Sequence, residues 1–137
     1  MTVLLVDAAN VVGARPDGWW RDRAGAATRL LTRLAGLPGR RLTGPDGADL
    51  TCGEVVAVVE GRARDVAAPK GVTVVRAPGS GDDVLAEEAR RRVAACQALL
   101  VVTADRGLRA RLPAGTPVTG PGWLWQRLDE ADATPPG

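Results

Sequence analysis

The sequence predicts an α/β domain with a central, mostly parallel sheet of four to five strands and helices on both faces. Short continuous apolar runs, as in residues 3–6, 55–59 and 99–102, suit strands buried on both sides. Amphipathic segments at helical spacing alternate with them, which is the pattern of parallel strands joined by helical crossovers. A chain of 137 residues fits one domain able to bury roughly two-thirds of its unfolded surface. The domain is read as residues 1–131, with 132–137 as a flexible C-terminal tail.

Val3-Leu4-Leu5-Val6 forms the first strand and ends in Asp7. Residues 10–20 read as a polar loop, because Gly13, Pro16 and Gly18 interrupt any period. Ala24, Ala27, Leu31 and Leu34 then recur on one helical face, predicting a helix from about Trp20 to Leu37 that Pro38-Gly39 stops. Residues 43–53, rich in Gly, Pro and Asp, read as a loop. Residues 55–59, ending before Glu60, and 72–75, ending before Pro78, are the second and third strands. Gly79-Ser80-Gly81 leads into a helix whose apolar positions are Leu85, Ala89 and Val93. Residues 99–102 make the fourth strand, followed by Thr103-Ala104-Asp105 and a short helix through Leu112. Pro117-Val118 is a short fifth strand, and a last helix begins near Gly122 with Trp123, Trp125 and Leu128.

Composition excludes more than it selects. With no Phe or Tyr and only four Trp, the core must be aliphatic. There is no histidine, which removes Ser-His-Asp and Cys-His catalysis, helical H-E-x-x-H zinc sites and the zinc deaminases. Acid–base or metal chemistry must therefore run on carboxylates. Cys52 and Cys96 form no C-x-x-C and are expected as reduced thiols. The N-terminal apolar run is too short for a signal peptide or membrane span, so a cytoplasmic protein with no membrane partner is expected. A net charge of +2 does not by itself point to nucleic acid.

Three acidic features fall at predicted C-terminal strand ends, where open α/β sheets gather functional groups. They are Asp7, Asp82-Asp83 and Asp105. Each of the last three has a plain alternative as a helix N-cap, worth roughly 1 kcal/mol. Asp7 is expected to end a strand with no helix starting directly after it. In a parallel sheet these acids converge, and two unit charges about 4 Å apart repel by roughly 4 kcal/mol at an effective dielectric near 20. A hard divalent cation, Mg²⁺ or Mn²⁺, relieves that repulsion with all-oxygen ligands.

At these residues the sequence resembles the PIN-like NYN domain family, relatives of the YacP-type ribonucleases. The residues carrying the resemblance are Asp7-Ala8-Ala9-Asn10 after the first strand, Gly81-Asp82-Asp83 before a helix, and Thr103-Ala104-Asp105-Arg106 after the fourth strand. Ala8-Ala9 departs from the Gly-aromatic pair often found there, and Glu60 is the nearby candidate for the acid the family often carries after its second strand. The resemblance implies a PIN-like three-layer sandwich and metal-dependent hydrolysis of RNA phosphodiesters. It implies Asp7, Asp82, Asp83 and Asp105 as ligands of Mg²⁺ or Mn²⁺. Asp7, Asp83, Asp105, Asn10 and Thr103 would be catalytic. Arg106, Trp19, Arg15 and Ser80 are the candidates for substrate contact, Trp19 and Arg15 because aromatic rings beside guanidiniums suit unpaired bases. Trp20 is read as a plug into the core, Trp123 and Trp125 as packing for the last helix, and Glu87 as a solvated charge.

Expected partners are RNA, single-stranded or structured, and a second copy of the chain in a homodimer. Two other readings stay open: a catalytically degenerate module that binds RNA or protein, and a nucleotide phosphohydrolase using the same acids. A Rossmann nucleotide site is disfavoured by the absence of G-x-G-x-x-G after the first strand.

Overall fold

The computed structural model describes residues 1–133. Within them the order is β1 (Thr2–Asp7), α1 (Ala8–Gly13), α2 (Arg23–Leu34), β2 (Arg41–Thr43), β3 (Asp49–Val59), β4 (Val72–Arg76), α3 (Gly81–Ala94), β5 (Leu99–Val102), α4 (Arg106–Arg111), β6 (Val118–Thr119) and α5 (Pro121–Ala133). Single turns of 3-10 helix cover Trp19–Arg21 and Gly61–Ala63.

The strands form one six-stranded sheet, more than the four to five expected from sequence. β1 lies in the middle, parallel to β3 on one side and β5 on the other, and β6 continues beyond β5. β4 runs parallel to the second half of β3, while β2 pairs antiparallel with its first half. The additional strand, β2, ends at the start of the segment read as a loop, which itself supplies the turn and the first residues of β3. Gly44 to Ala48 make a turn between Arg41–Thr43 and the start of β3, closed by the Gly44 N–H donating to Ala48 O at 2.8 Å.

Alternating strand residues face opposite sides of the sheet, and each side is covered. Leu4, Val6, Val55, Ala57 and Val102 pack with α1, α2 and α5, through Val11, Leu30, Leu31, Leu34 and Leu124. Val3, Leu5, Val56, Val58 and Val101 pack with α3 and α4, through Leu85, Ala86, Ala89 and Leu108. Each such aliphatic side chain contributes roughly 1.5–3 kcal/mol by burial, so the sandwich is held by two aliphatic cores. Cys52 is buried and Cys96 exposed, both as free thiols.

α2 begins three residues later than expected, because Asp22 caps it by accepting from Gly25 N at 2.9 Å. The last helix runs through Asp132, whose carboxylate pairs with Arg33 at 2.7 Å. Of the segment read as a tail, residues 134–137 lie outside the described residues. No helix among the described residues is long and apolar enough to cross a membrane.

Candidate active site

β1, β3, β4 and β5 all run the same way, so their C-terminal ends open onto one edge of the sheet. Asp7 ends β1 there and is 8% exposed. A helix does start directly after it, contrary to the expected loop. Ala8 and Ala9 are good helix formers, and the Asp7 carboxylate caps α1 by accepting from Asn10 N at 3.3 Å. Its other oxygen, Oδ2, accepts from the fully buried Thr103 hydroxyl at 2.9 Å.

Thr103 links two strand ends. While its hydroxyl donates to Asp7, its Oγ1 accepts from Asp105 N at 3.1 Å. Asn10 makes a second link, its Oδ1 accepting from Ala104 N at 2.7 Å. The Asp-x-x-Asn turn after β1 and the Thr-x-Asp turn after β5 thus interlock through one side-chain pair and one side-chain–backbone bond. Asp105 caps α4, accepting from Leu108 N at 3.1 Å.

Glu60, just past β3, accepts a hydrogen bond from Gly81 N at the start of α3. The approach is close: a Cβ at Gly81 would stand 3.0 Å from Glu60 Oε2, so the Glu60 side chain would have to give way slightly. Ser80 caps α3, accepting from Asp82 N at 3.2 Å, which leaves neither Asp82 nor Asp83 as the cap. The two aspartates then diverge, as consecutive residues on a helix must. Asp82 faces the strand ends. Asp83 points outward and pairs with Arg111 at 2.5 Å.

The electrostatics follow this geometry. Burial, the largest cause, raises the Asp7 carboxyl above its ordinary range. The Thr103 and Asn10 hydrogen bonds oppose the rise, and the charges of Asp82 and Glu60 add to it. Asp82 is raised too, first by burial, then by Asp105 and Glu60, against the pull of Arg111. Asp7, Glu60, Asp82 and Asp105 therefore share one field of negative charge. Among the described residues, however, no three acids or thiols stand close enough to make a formed metal cage. The donor set suits Mg²⁺ or Mn²⁺, being all oxygen with no histidine or buried thiolate in it. Mutual pressure between the acids, and not a preassembled cage, carries that fit.

This architecture has solved counterparts. The chain shares the fold of Rae1 (YacP) from Bacillus subtilis. Its crystal structure matches with a TM-score of 0.70 at 18% identity, over 97% of this chain and 76% of that one. A tryptophan-to-leucine mutant of Rae1 gives a TM-score of 0.69 at 18% identity, over 97% and 78%. No family model matches the sequence, and no curated protein does. At this identity the likeness to Rae1 fixes the PIN-like fold and carries no residue roles across.

The remaining candidates divide. Arg106 lies exposed in the first turn of α4, with no ion pair to the described residues. Arg15 is held away from the acids by Asp129, at 2.7 Å, and lies over the Trp125 ring. Ser80 is engaged as a cap. Trp20 does not plug into the core as expected. Trp19 packs against the core, and Trp20 is 52% exposed. Trp123 and Trp125 pack α5 as expected, donating to Thr43 O and Val11 O at 3.0 Å each. Glu87 is solvated, with a loose 3.5 Å pair to Arg90.

Proposed function

We propose that the protein is a metal-dependent ribonuclease that hydrolyses RNA phosphodiester bonds at the edge formed by Asp7, Glu60, Asp82 and Asp105. One observation carries the reading: Asp7 is buried at a parallel strand end, raised by its own desolvation and by neighbouring acids, yet fixed in place by Thr103 and Asn10. A fold holds buried like charges together at a cost in stability, and strongly perturbed acids in a cleft mark functional sites. The YacP fold likeness and the order of the acidic motifs support the same reading.

Asp7, Asp82 and Asp105 would hold Mg²⁺ or Mn²⁺, with Glu60 as a fourth oxygen donor. Such an ion, when bound, neutralises charge on a phosphate and makes a bound water more acidic. Thr103 orients the Asp7 carboxylate, and Asn10 ties its helix to the Asp105 loop. Arg106, exposed directly after Asp105, would meet a phosphate as a bidentate donor. Asp83, engaged by Arg111, is a surface charge in this reading.

The test is cleavage of end-labelled single-stranded RNA by the full chain with Mn²⁺ or Mg²⁺, beside nucleoside triphosphates as rival substrates. Cleavage that EDTA abolishes and Asp7→Asn removes supports the proposal; metal-insensitive or absent cleavage of RNA overturns it. The absence of a formed cage favours, as a second reading, a module of this fold that binds RNA without cutting it. Retained RNA binding with no cleavage at any metal concentration would select that reading.

A further inference from the structure

Beside the acidic edge lies a cleft of about 370 Å³, between α1, the Trp19–Arg21 turn, α2 and the segment after β3. Its size falls at the small end of ligand sites, which are mostly apolar with a few placed polar groups. Val12 and Ala27 supply an apolar floor, and Ala9 one open wall. The Trp19 ring lines the cleft, with the Arg23 guanidinium 5.5 Å from its centroid. Arg62 stands on the rim, exposed, and Glu60 closes the side toward Asp7.

The geometry points to a nucleobase subsite: this cleft takes one unstacked base of a single-stranded RNA whose backbone passes the acidic edge. The inference rests on the ribonuclease reading and adds where the substrate is gripped. An apolar cleft with an indole wall suits the π-face of a base. Arg23 and Arg62 supply positive charge for the flanking phosphates, which the acids alone would repel. Glu60 joins the two regions, since it lines the cleft and also raises Asp7. A purely aliphatic ligand would use neither the arginines nor the carboxylate. A protein segment would need a longer groove than this cleft offers.

The test compares AMP and CMP with ribose 5-phosphate, titrated into the full chain in EDTA and followed by tryptophan fluorescence and calorimetry. Wild-type protein is expected to bind the nucleotides roughly 5- to 150-fold more tightly than the sugar phosphate, the range that stacking of one base supplies. Trp19→Ala removes the wall and Ala9→Leu fills the slot from an exposed helical position, so the second variant keeps the test sharp if the first unfolds. In both, the ratio of nucleotide to sugar-phosphate affinity is expected to fall toward one. A ratio near one in wild-type protein, or a ratio unchanged in folded Ala9→Leu, overturns the subsite. Metal-dependent RNA cleavage is scored separately. Cleavage without base-dependent binding sinks the subsite alone, whereas base-dependent binding without cleavage sustains the subsite and sinks the nuclease.

Discussion

Replacing Asp7 by Asn separates the metal proposal from the fold. If Mn²⁺ binds only the folded chain, at 100 times its dissociation constant it stabilises by about 2.7 kcal/mol. Unfolding entropy of about 2.1 cal/mol/K per residue, applied to a chain of 137 residues, converts each kcal/mol into about 3–4 °C. Wild-type protein should therefore melt about 9 °C higher in saturating Mn²⁺, and Asp7→Asn should lose most of that gain. Without metal the variant behaves differently. The introduced amide offers the Thr103 hydroxyl a neutral oxygen in place of a charged one, a loss of roughly 1 kcal/mol. The substitution also removes a desolvated charge that Asp82 and Glu60 repel, and burial is the larger influence on Asp7. The midpoint of the metal-free variant at pH 7 should thus match or exceed that of wild type.

The pH dependence has a defined sign. Because the folded state holds the Asp7 proton more tightly than the unfolded chain does, it binds more protons between the ordinary carboxylate range and the raised value. Stability from this group is greatest below that window and declines as pH rises through it; Asp7→Asn abolishes the decline. Differential scanning fluorimetry over pH 4–8, with and without Mn²⁺, reads both effects. An equal Mn²⁺ shift in wild type and variant, or no shift in wild type at millimolar metal, would refute the reasoning.

Thr103→Val keeps the shape of the residue but leaves Asp7 Oδ2 and Asp105 N without their buried partner. Urea unfolding should show a loss of about 2 kcal/mol, and RNA cleavage should fall along with it. Asp82→Asn should abolish metal-dependent cleavage, whereas Asp83→Asn should keep most of it and change stability by less than about 1 kcal/mol, as for an exposed ion pair; rates for the two single variants decide between them. Glu88, buried in α3, gives the opposite pH slope to Asp7. Burial pushes its carboxyl up, but hydrogen bonds and charges from Arg91 and Arg92 outweigh that and hold it below its ordinary value. Its contribution is full above the ordinary carboxylate range and lost as pH falls, so Glu88→Gln should cost roughly 2 kcal/mol at pH 7 and little near pH 3, by urea titration at both.

The parallel core was legible because apolar continuity is a property of the chain itself: residues 3–6, 55–59 and 99–102 could be buried on both faces only as central strands. The β2–β3 hairpin was not legible. Its strands carry Arg41, Thr43, Asp49 and Thr51 at exposed positions, and their short ladder is fixed by pairing across the turn and not by local propensity. Trp20 was misassigned for a related reason. Adjacent rings in a single 3-10 turn point in different directions, and only the packing of α2 selects which faces inward.

Within the site, the sequence reading put Asp83 among the catalytic acids and left Asp82 as a ligand or cap, whereas α3 turns Asp83 to Arg111 and Asp82 toward Asp105 and Glu60. That difference depends on the rotation of α3, which Ser80 sets by capping and Leu85, Ala86 and Ala89 set by packing on the sheet. The contrast drawn from sequence between a helix cap and a metal ligand was itself too sharp. Asp7 caps α1 with one oxygen and receives the Thr103 hydroxyl with the other, and Asp105 caps α4. An ionised carboxylate offers about four lone-pair sites, so capping leaves acceptor capacity facing the other acids. Capping also fixes the carboxylate against a rigid helix end, which loop-borne acids lack. Where parallel strands run straight into capped helices, one aspartate is placed by the fold's own hydrogen bonds before any ligand arrives.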